Sequence, residues 1–543
     1  MCGIVGYVGK KQALPILVKG LARLEYRGYD SSGVAILENN KIERVRSIGK
    51  IENLNSKLKE FNLKGNIGIA HTRWATHGDV TEKNAHPHFG TSNKLVIVHN
   101  GIIENYRELK EKFLKDIKLK SETDTEILAC LIDEFYKGNL RDAILKALSY
   151  VRGTYGLVVM HEDYPNTLIA ARFGSPLVIG ISEDEYYIAS DTSPMLAYTK
   201  KVIFLEDREL VEIKLGEELK IFDLKDKKIF KNIEEISWDE SQAQKQGYDH
   251  FMLKEIFDQP RVFEDAIRGR FNLEEGSSNL GGLNMTISEM NSINKIILLA
   301  CGTASYAAMV GKYAFERLSG IPCEVDVASE FRYRDPIIDE NTLVFALSQS
   351  GETADTIAAI KEVKRKGAKV RGIVNVIGST IARETGAGSY IHAGPELAVA
   401  STKAYTNMIA VLILYAIQFG RNKRLTIATG KKLINALLEI PEKMNKILSE
   451  SEKIKNIAEK YKNYKDFFYL GRGVNFPVAL EGSLKLKEIS YIHSEAYPGG
   501  EMKHGPIALL SENFPVFGIV TKNQLYEKML NNLEEVKARK SPI

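Results

Sequence analysis

The sequence predicts two kinds of fold in one chain: a layered α+β domain of stacked sheets, then two α/β units on parallel sheets. Three observations carry this. Residues 1–240 hold many short β-patterned runs with few helical patterns among them, which is how stacked sheets are encoded. From about residue 290 the texture changes to an apolar strand, a tight glycine turn and a helix, the signature of parallel sheets flanked by helices. That unit occurs twice, in "KIILLACGTASYAAMVGKY" and "DFFYLGRGVNFPVALEGSLKLKE", each followed by a second strand. It reads as a diverged internal repeat.

The first-half runs are "CGIVGYVG", "SGVAIL", "NIGIAHTRW", "KLVIVHNG", "YGLVVMH", "NTLIAARFG", "SPLVIGIS" and "EYYIAS", with helical patterns at 11–25, 102–116 and 123–137. Residues 241–289 are expected to be a linker and helical connection, and 290–428 the first α/β subdomain. Residues 429–464, amphipathic and charged, are expected to bridge to a second subdomain at 465–543. The run "MIAVLILYAIQF" is too short for a membrane span and reads as a buried helix. "NNLEEVKARKSPI" looks like a helix running into another strand, so the second subdomain is expected to be cut short.

Composition bounds the function. The chain has 543 residues, 44% hydrophobic and 27% charged, with a formal net charge of +4. That charge is too small to point to nucleic acid or a membrane surface as partner. Cys2, Cys130, Cys301 and Cys323 are far apart and form no CxxC pair, which argues against a disulfide framework and a zinc site and for a reducing compartment. With no basic segment before a long apolar run at the start, a cytoplasmic location is expected.

Cys2 has two readings. It packs as a small hydrophobe, or Met1 is removed and its thiol and α-amine share one residue. An α-amine with a reference pKa of about 8 is partly neutral at pH 7 and can take a thiol's proton. "HNG" offers the Asn100 amide and the Gly101 N–H as oxyanion donors. Arg73 in "AHTRWATHG" can fork onto a carboxylate, and Asp124 in "SETDTE" can hold an ammonium. Together these suit a free amino acid with an acyl side chain, such as glutamine. Individually, Arg73 also reads as a surface ion pair, Asn100–Gly101 as a hairpin turn and Asp124 as a helix start.

In the second half, "LSQSGET" sits between a strand and a helix. Ser348, Gln349, Ser350 and Thr353 there bring hydroxyls, an amide and backbone N–H groups to a helix N-terminus, a site for a phosphate dianion; a serine-rich N-cap is the other reading. Glu481, Lys485 and Glu488 share one helix face. They read as a solvated charged stripe or, with Ile489, Tyr491 and Ile492 close behind, as a buried catalytic face. His504, in "KHGP", is a turn residue or a proton-transfer group of near-neutral pKa.

The ordered set "MCGIVGYVG", "LEYRGYDSSG", "GIAHTRWATHG", "NAHPH", "IVHNGIIEN" and "SETDTE" resembles the glutaminase domain of the glutamine–fructose-6-phosphate aminotransferases, also called glucosamine-6-phosphate synthases. The likeness continues through "LACGT", "ASEFRYR", "LSQSGETADT", "VASTKAYT", "LGRG", "ALEGSLKLKEISYIHSEAY" and "GEMKHGP". It implies an αββα N-terminal-nucleophile hydrolase sandwich followed by two sugar-isomerase (SIS) subdomains, no metal or organic cofactor, and a homodimer. The resemblance makes Cys2 the nucleophile and Asn100 with Gly101 the oxyanion hole. Arg73, Thr76, His77 and Asp124 would bind glutamine, and Trp74 would gate ammonia. Thr303, the "LSQSGET" residues, Val399 and Ser401 would hold fructose 6-phosphate. Glu488 would shuttle the proton between C1 and C2, assisted by Lys485, and His504 would open the ring. Ala304 stands where the family often has serine, which would remove one phosphate hydrogen bond. No lysine matches the family's Schiff-base lysine by motif, and its C-terminal tail is expected to be absent. Neither the phosphoribosyl-pyrophosphate loop of nucleotide-pathway amidotransferases nor the pyrophosphate loop of asparagine synthetase is found.

Overall fold

Strand Gly3–Val8 sends alternate side chains into two different cores: Ile4 and Val8 into one, Val5 and Tyr7 into the other. A strand buried on both faces needs a layer on each side. The computed structural model describes residues 2–25, 28–236 and 245–543. The expectation about Met1 and the start of the anticipated linker lie outside them. The chain divides into two compact units, residues 1–244 and 245–543.

In the first unit Gly3–Val8 sits inside an eight-stranded sheet, between Glu185–Ala189 and Ile67–Arg73 and antiparallel to both. A seven-stranded sheet, with Leu95–Ile103 paired to Gly153–His161, faces it. Ile4, Ile69, Val98 and Val158 belong to the core shared by the two sheets. Helix Ala13–Leu24 covers the outer face of the first sheet through Leu17 and Leu21, and helix Asp124–Phe135 covers the second through Leu128 and Leu131. The result is an αββα sandwich. Helix Asp124–Phe135 starts where it does because the Thr123 hydroxyl accepts the Glu126 N–H at 3.3 Å; that cap puts Asp124 in the first turn.

In the second unit a five-stranded parallel sheet runs in the order Cys323–Val327, Lys295–Ala300, Thr342–Ser348, Lys369–Val374, Gly388–Tyr390. Ile296, Leu298 and Phe345 face helix Lys403–Lys423, while Ile297, Leu299 and Val344 face helix Ala354–Arg365. Three more parallel strands follow in the order His493–Pro498, Asp466–Gly471, Val516–Gly518. In both sheets the first strand of the repeat lies between the second and the third, so the duplication read from the sequence is one of topology too. After helix Tyr526–Lys537 the chain returns to this edge, where the Val516 N–H donates to Pro542 O at 2.8 Å.

The stretch expected as a linker and helical connection carries, from Phe251 onward, part of the second unit's core: Phe263, Ala266 and Ile267 of helix Phe251–Ile267, then Leu280, Leu283 and Met290, pack with the strand Lys295–Ala300. Its polar opening masked an apolar face that only the sheet reveals. Among the described residues no helix is long and apolar enough to cross a membrane.

Candidate active sites

The pairing Gly3↔Thr72 brings Cys2 beside the end of strand Ile67–Arg73. There the Trp74 N–H donates to Cys2 Sγ at 3.3 Å, and the thiol lies 3.5 Å from Trp74 O. Across the sandwich, Asn100 on strand Leu95–Ile103 donates from Nδ2 to Cys2 O at 3.1 Å. Gly101 has φ +132°, and a Cβ there would stand 2.1 Å from Thr154 O, so only glycine keeps this backbone N–H so close to its neighbours.

Arg73 is 3% exposed. Its guanidinium donates to the carbonyls of His77, Gly78 (3.2 Å) and Asp79 (3.3 Å), so the loop after the strand wraps back and aims its own arginine. Asp124, equally buried, accepts the Ile103 N–H on Oδ2 at 2.8 Å. Cys2, Arg73, Trp74, Thr76, His77 and Asp124 line one cavity, with Gly101, His86 and His99. The Trp74 ring, half-exposed, meets Tyr29 edge-on at 5.4 Å, and His77 meets Tyr106 edge-on at 5.7 Å.

Burial pushes the Cys2 thiol up, against the Trp74 amide bond and the nearby Arg73 charge. Burial likewise pulls Arg73 down, with Cys2, Asp30 and Asp124 opposing. Three buried imidazoles nearby are held neutral: burial takes His71 down to about 3, and His86 and His88 well below their ordinary value.

The second cluster joins the two halves of the repeat. Helix Thr303–Ser319 begins after Gly302, whose φ of +57° makes the turn from the strand. The Thr303 hydroxyl donates to Glu481 Oε1 at 3.1 Å and accepts from Lys485 Nζ at 3.0 Å. Lys485 also reaches Glu481 (3.2 Å) and Glu488 (2.6 Å). Burial pushes the Glu481 carboxyl up to about 7, with Lys485 and Thr303 working against it. Its Oε2 and the nearby buried Tyr405 hydroxyl have no hydrogen-bond partner.

Here the sequence reading of the buried face is corrected. Ile489 and Tyr491 are 54% and 69% exposed rather than covering Glu488, because the helix ends at Tyr491 in a left-handed turn (φ +60°). Burial falls one turn and more earlier, on Glu481. His504 stands on an exposed turn held by its own N–H to Glu501 O; no side-chain hydrogen bond or ion pair joins it to Glu481, Lys485 or Glu488.

At the end of strand Thr342–Ser348, Ser348 Oγ accepts the Gly351 N–H at 3.0 Å and lies 3.0 Å from Thr353 Oγ1; Ser350 Oγ accepts the Glu352 N–H. Gln349 is half-buried in the same turn. These hydroxyls pre-form the loop that opens helix Ala354–Arg365. Ser401 donates to Glu396 at 2.7 Å, and Val399 is 41% exposed. Ala304 is buried at the start of its helix. Among the described residues no group of three or more His, Cys, Asp or Glu side chains is arranged to hold a metal ion.

A glutamine amidotransferase domain model matches residues 45–250, and a SIS domain model matches 289–418 and 460–543. A protein of Clostridium tetani is 49% identical over 541 residues, covering 99% of this chain and 89% of its own length. One of Bacteroides thetaiotaomicron is 48% identical over 549 residues, covering 100% and 89%. Both are named glutamine–fructose-6-phosphate aminotransferase (isomerizing). The chain belongs to the glutamine–fructose-6-phosphate aminotransferase family. A solved C-terminal domain of glucosamine-fructose-6-phosphate aminotransferase from Francisella tularensis is 38% identical with a TM-score of 0.53, covering 55% of this chain and 84% of that one.

Within this aminotransferase fold the sequence reading passed over two groups of residues. His86 and His99 line the Cys2 cavity and His71 stands behind Asn100, yet a buried imidazole leaves no periodic trace; the signal available was that His71 and His99 fall in the same motifs as Arg73 and Asn100, and His86 in the run between them. Glu255, 1% exposed, accepts the N–H groups of Leu397 (2.5 Å) and Ala398, and burial with Glu396 nearby pushes it up to about 8. Together with Glu396, which takes the Thr402 and Ala404 N–H groups, it holds the loop carrying Val399 and Ser401.

Proposed function

We propose that this chain is a transferase that converts glutamine and fructose 6-phosphate to glutamate and glucosamine 6-phosphate, the first step of amino-sugar synthesis. The observation that carries the reading is the Cys2 cavity: a thiol, an amide donor, a buried arginine and a buried carboxylate converge there.

With Met1 removed, the Cys2 α-amine takes the thiol proton as sulfur attacks the glutamine side-chain carbonyl carbon. Burial pushes the thiol up, so attack needs the amine as base. The tetrahedral oxyanion takes hydrogen bonds from Asn100 Nδ2 and the Gly101 N–H. As the intermediate collapses the Cys2 α-ammonium returns that proton to the leaving nitrogen, so ammonia departs and a thioester remains, which water cleaves to glutamate and the free thiol. Arg73 holds the substrate α-carboxylate and Asp124 its α-ammonium, with Thr76 and His77 beside them. Trp74 is the gate for ammonia.

In the second unit the Ser348, Gln349, Ser350 and Thr353 turn takes the phosphate on hydroxyls and helix N–H groups, with Thr303, Val399 and Ser401 contributing. Glu488 carries the proton between C1 and C2, and Lys485, 2.6 Å away, supplies the adjacent positive charge. His504 opens the sugar ring; its exposed turn suits donation to the site of a second copy in a homodimer.

A glutaminase assay with and without fructose 6-phosphate, on wild type and Cys2→Ala, tests the reading. Glutamate release that fructose 6-phosphate stimulates and Cys2→Ala abolishes is expected. Absent release, or release indifferent to Cys2, overturns it. Intact mass reads whether Met1 is gone.

A further inference from the structure

His71 is fully buried on strand Ile67–Arg73, opposite Ile4 of the neighbouring strand. The chemistry proposed above leaves it idle. Its Nε2 lies 2.9 Å from Asn100 Oδ1, while Asn100 Nδ2 lies 3.1 Å from Cys2 O. The two ends of an amide have nearly the same shape and opposite hydrogen-bond sense. Turned over, the Asn100 amide would set Oδ1 against a carbonyl oxygen and its NH2 against the ring N–H. Two acceptors would meet at one end and two donors at the other. A proton on His71 Nε2 therefore selects one orientation.

Three features keep that proton there. Burial pushes His71 down to about 3, so the ring stays neutral with a single N–H. Nδ1 is buried with no partner, so moving the proton to it would strand a donor. The ring is stacked on His86 at 4.1 Å and 17°, and His86 Nδ1 in turn faces the His99 N–H at 3.4 Å.

We propose that His71 is a positioning residue that holds the Asn100 NH2 toward the point where the oxyanion forms. The inference rests on the glutaminase reading of Cys2 and adds to it the residue that fixes the polarity of the oxyanion donor.

The test is steady-state glutamine hydrolysis by the full chain. His71→Phe keeps a flat ring against His86 and has no donor. It is expected to lower kcat by about 10–100-fold while KM for glutamine stays within about twofold, a fraction of the loss from deleting an oxyanion donor outright. His71→Gln, which restores an N–H donor, recovers part of the rate. Alkylation of Cys2 by iodoacetamide passes through no oxyanion and proceeds at the wild-type rate in His71→Phe. Adding His71→Phe to Asn100→Ala costs less than about twofold further, since both act through one group.

Wild-type kcat in folded His71→Phe, a parallel fall in alkylation, or additive losses in the double variant overturns the inference. If His71→Phe fails to fold, His71→Gln decides by the same split between hydrolysis and alkylation. A wild type that releases no glutamate overturns the glutaminase reading and this inference with it; an active wild type indifferent to His71 overturns the inference alone.

Discussion

Thr303 and Glu481 are 178 residues apart in the chain, and the Thr303 hydroxyl donates to Glu481 Oε1 at 3.1 Å. The same hydroxyl accepts from Lys485. One side chain from the first half of the repeat thus spends its single proton and a lone pair on the acid and base of the second half.

Thr303→Val removes both bonds at once. Since the Thr303 bond helps hold the Glu481 carboxyl down, the variant is expected to raise it further. Losing a buried pair of hydrogen bonds should cost about 1–3 kcal/mol, read as a lower Tm at neutral pH. An unchanged Tm would count against this coupling.

Glu481 gives stability a pH dependence of definite sign. Burial puts its folded pKa at about 7, above the ordinary carboxyl value of 4.5. Between those values the folded chain keeps a proton that the unfolded chain releases. Stability is therefore lost as pH rises from about 4.5 to about 7 and is flat above; the full offset is about 3 kcal/mol. Glu481→Gln removes this term, so its Tm relative to wild type should climb from pH 5 to pH 8. A difference independent of pH would refute the assignment.

Arg73→Lys keeps the charge and loses the fork. Lysine cannot bond the loop carbonyls and a carboxylate in one plane. We expect KM for glutamine to rise about 10–100-fold, the worth of a charge-assisted pair, with a smaller change in kcat. An unchanged KM would remove Arg73 from the glutamine site.

Glu255→Ala leaves the Leu397 and Ala398 N–H groups without their acceptor beneath the loop that carries Val399 and Ser401. A loss of about 2–4 kcal/mol is expected, together with weaker fructose 6-phosphate binding by calorimetry. Wild-type affinity in a destabilised protein would separate the loop from the sugar site.

Much of this was legible before folding. The sandwich strands announce themselves because alternate residues enter different cores, as Ile4 and Val5 do. Arg73, Asn100, Gly101 and Asp124 were legible as chemistry, since a fork, an amide, a free N–H and a carboxylate fit one substrate. Their convergence on Cys2 was not, because it depends on the pairing of Gly3 with Thr72 and on a facing sheet. Glu255 reads in sequence as one charge among Lys254 and Asp258. Its burial comes from a loop about 140 residues away whose amides need an acceptor. The exposure of Ile489 and Tyr491 was hidden because the left-handed helix end falls on a tyrosine, where no glycine marks it. His504 shows a limit of another kind: among the described residues no hydrogen bond or ion pair is found for its ring.

The donor that meets the Cys2 sulfur is the peptide N–H of Trp74, while the indole of the same residue turns to Tyr29. A main-chain donor belongs to the path of the backbone and is offered by every residue except proline. Exchange of the indole therefore leaves the sulfur with its bond. Two neighbouring devices, one made of backbone and one of side chain, can be retuned separately by mutation or by descent, although a single codon specifies both.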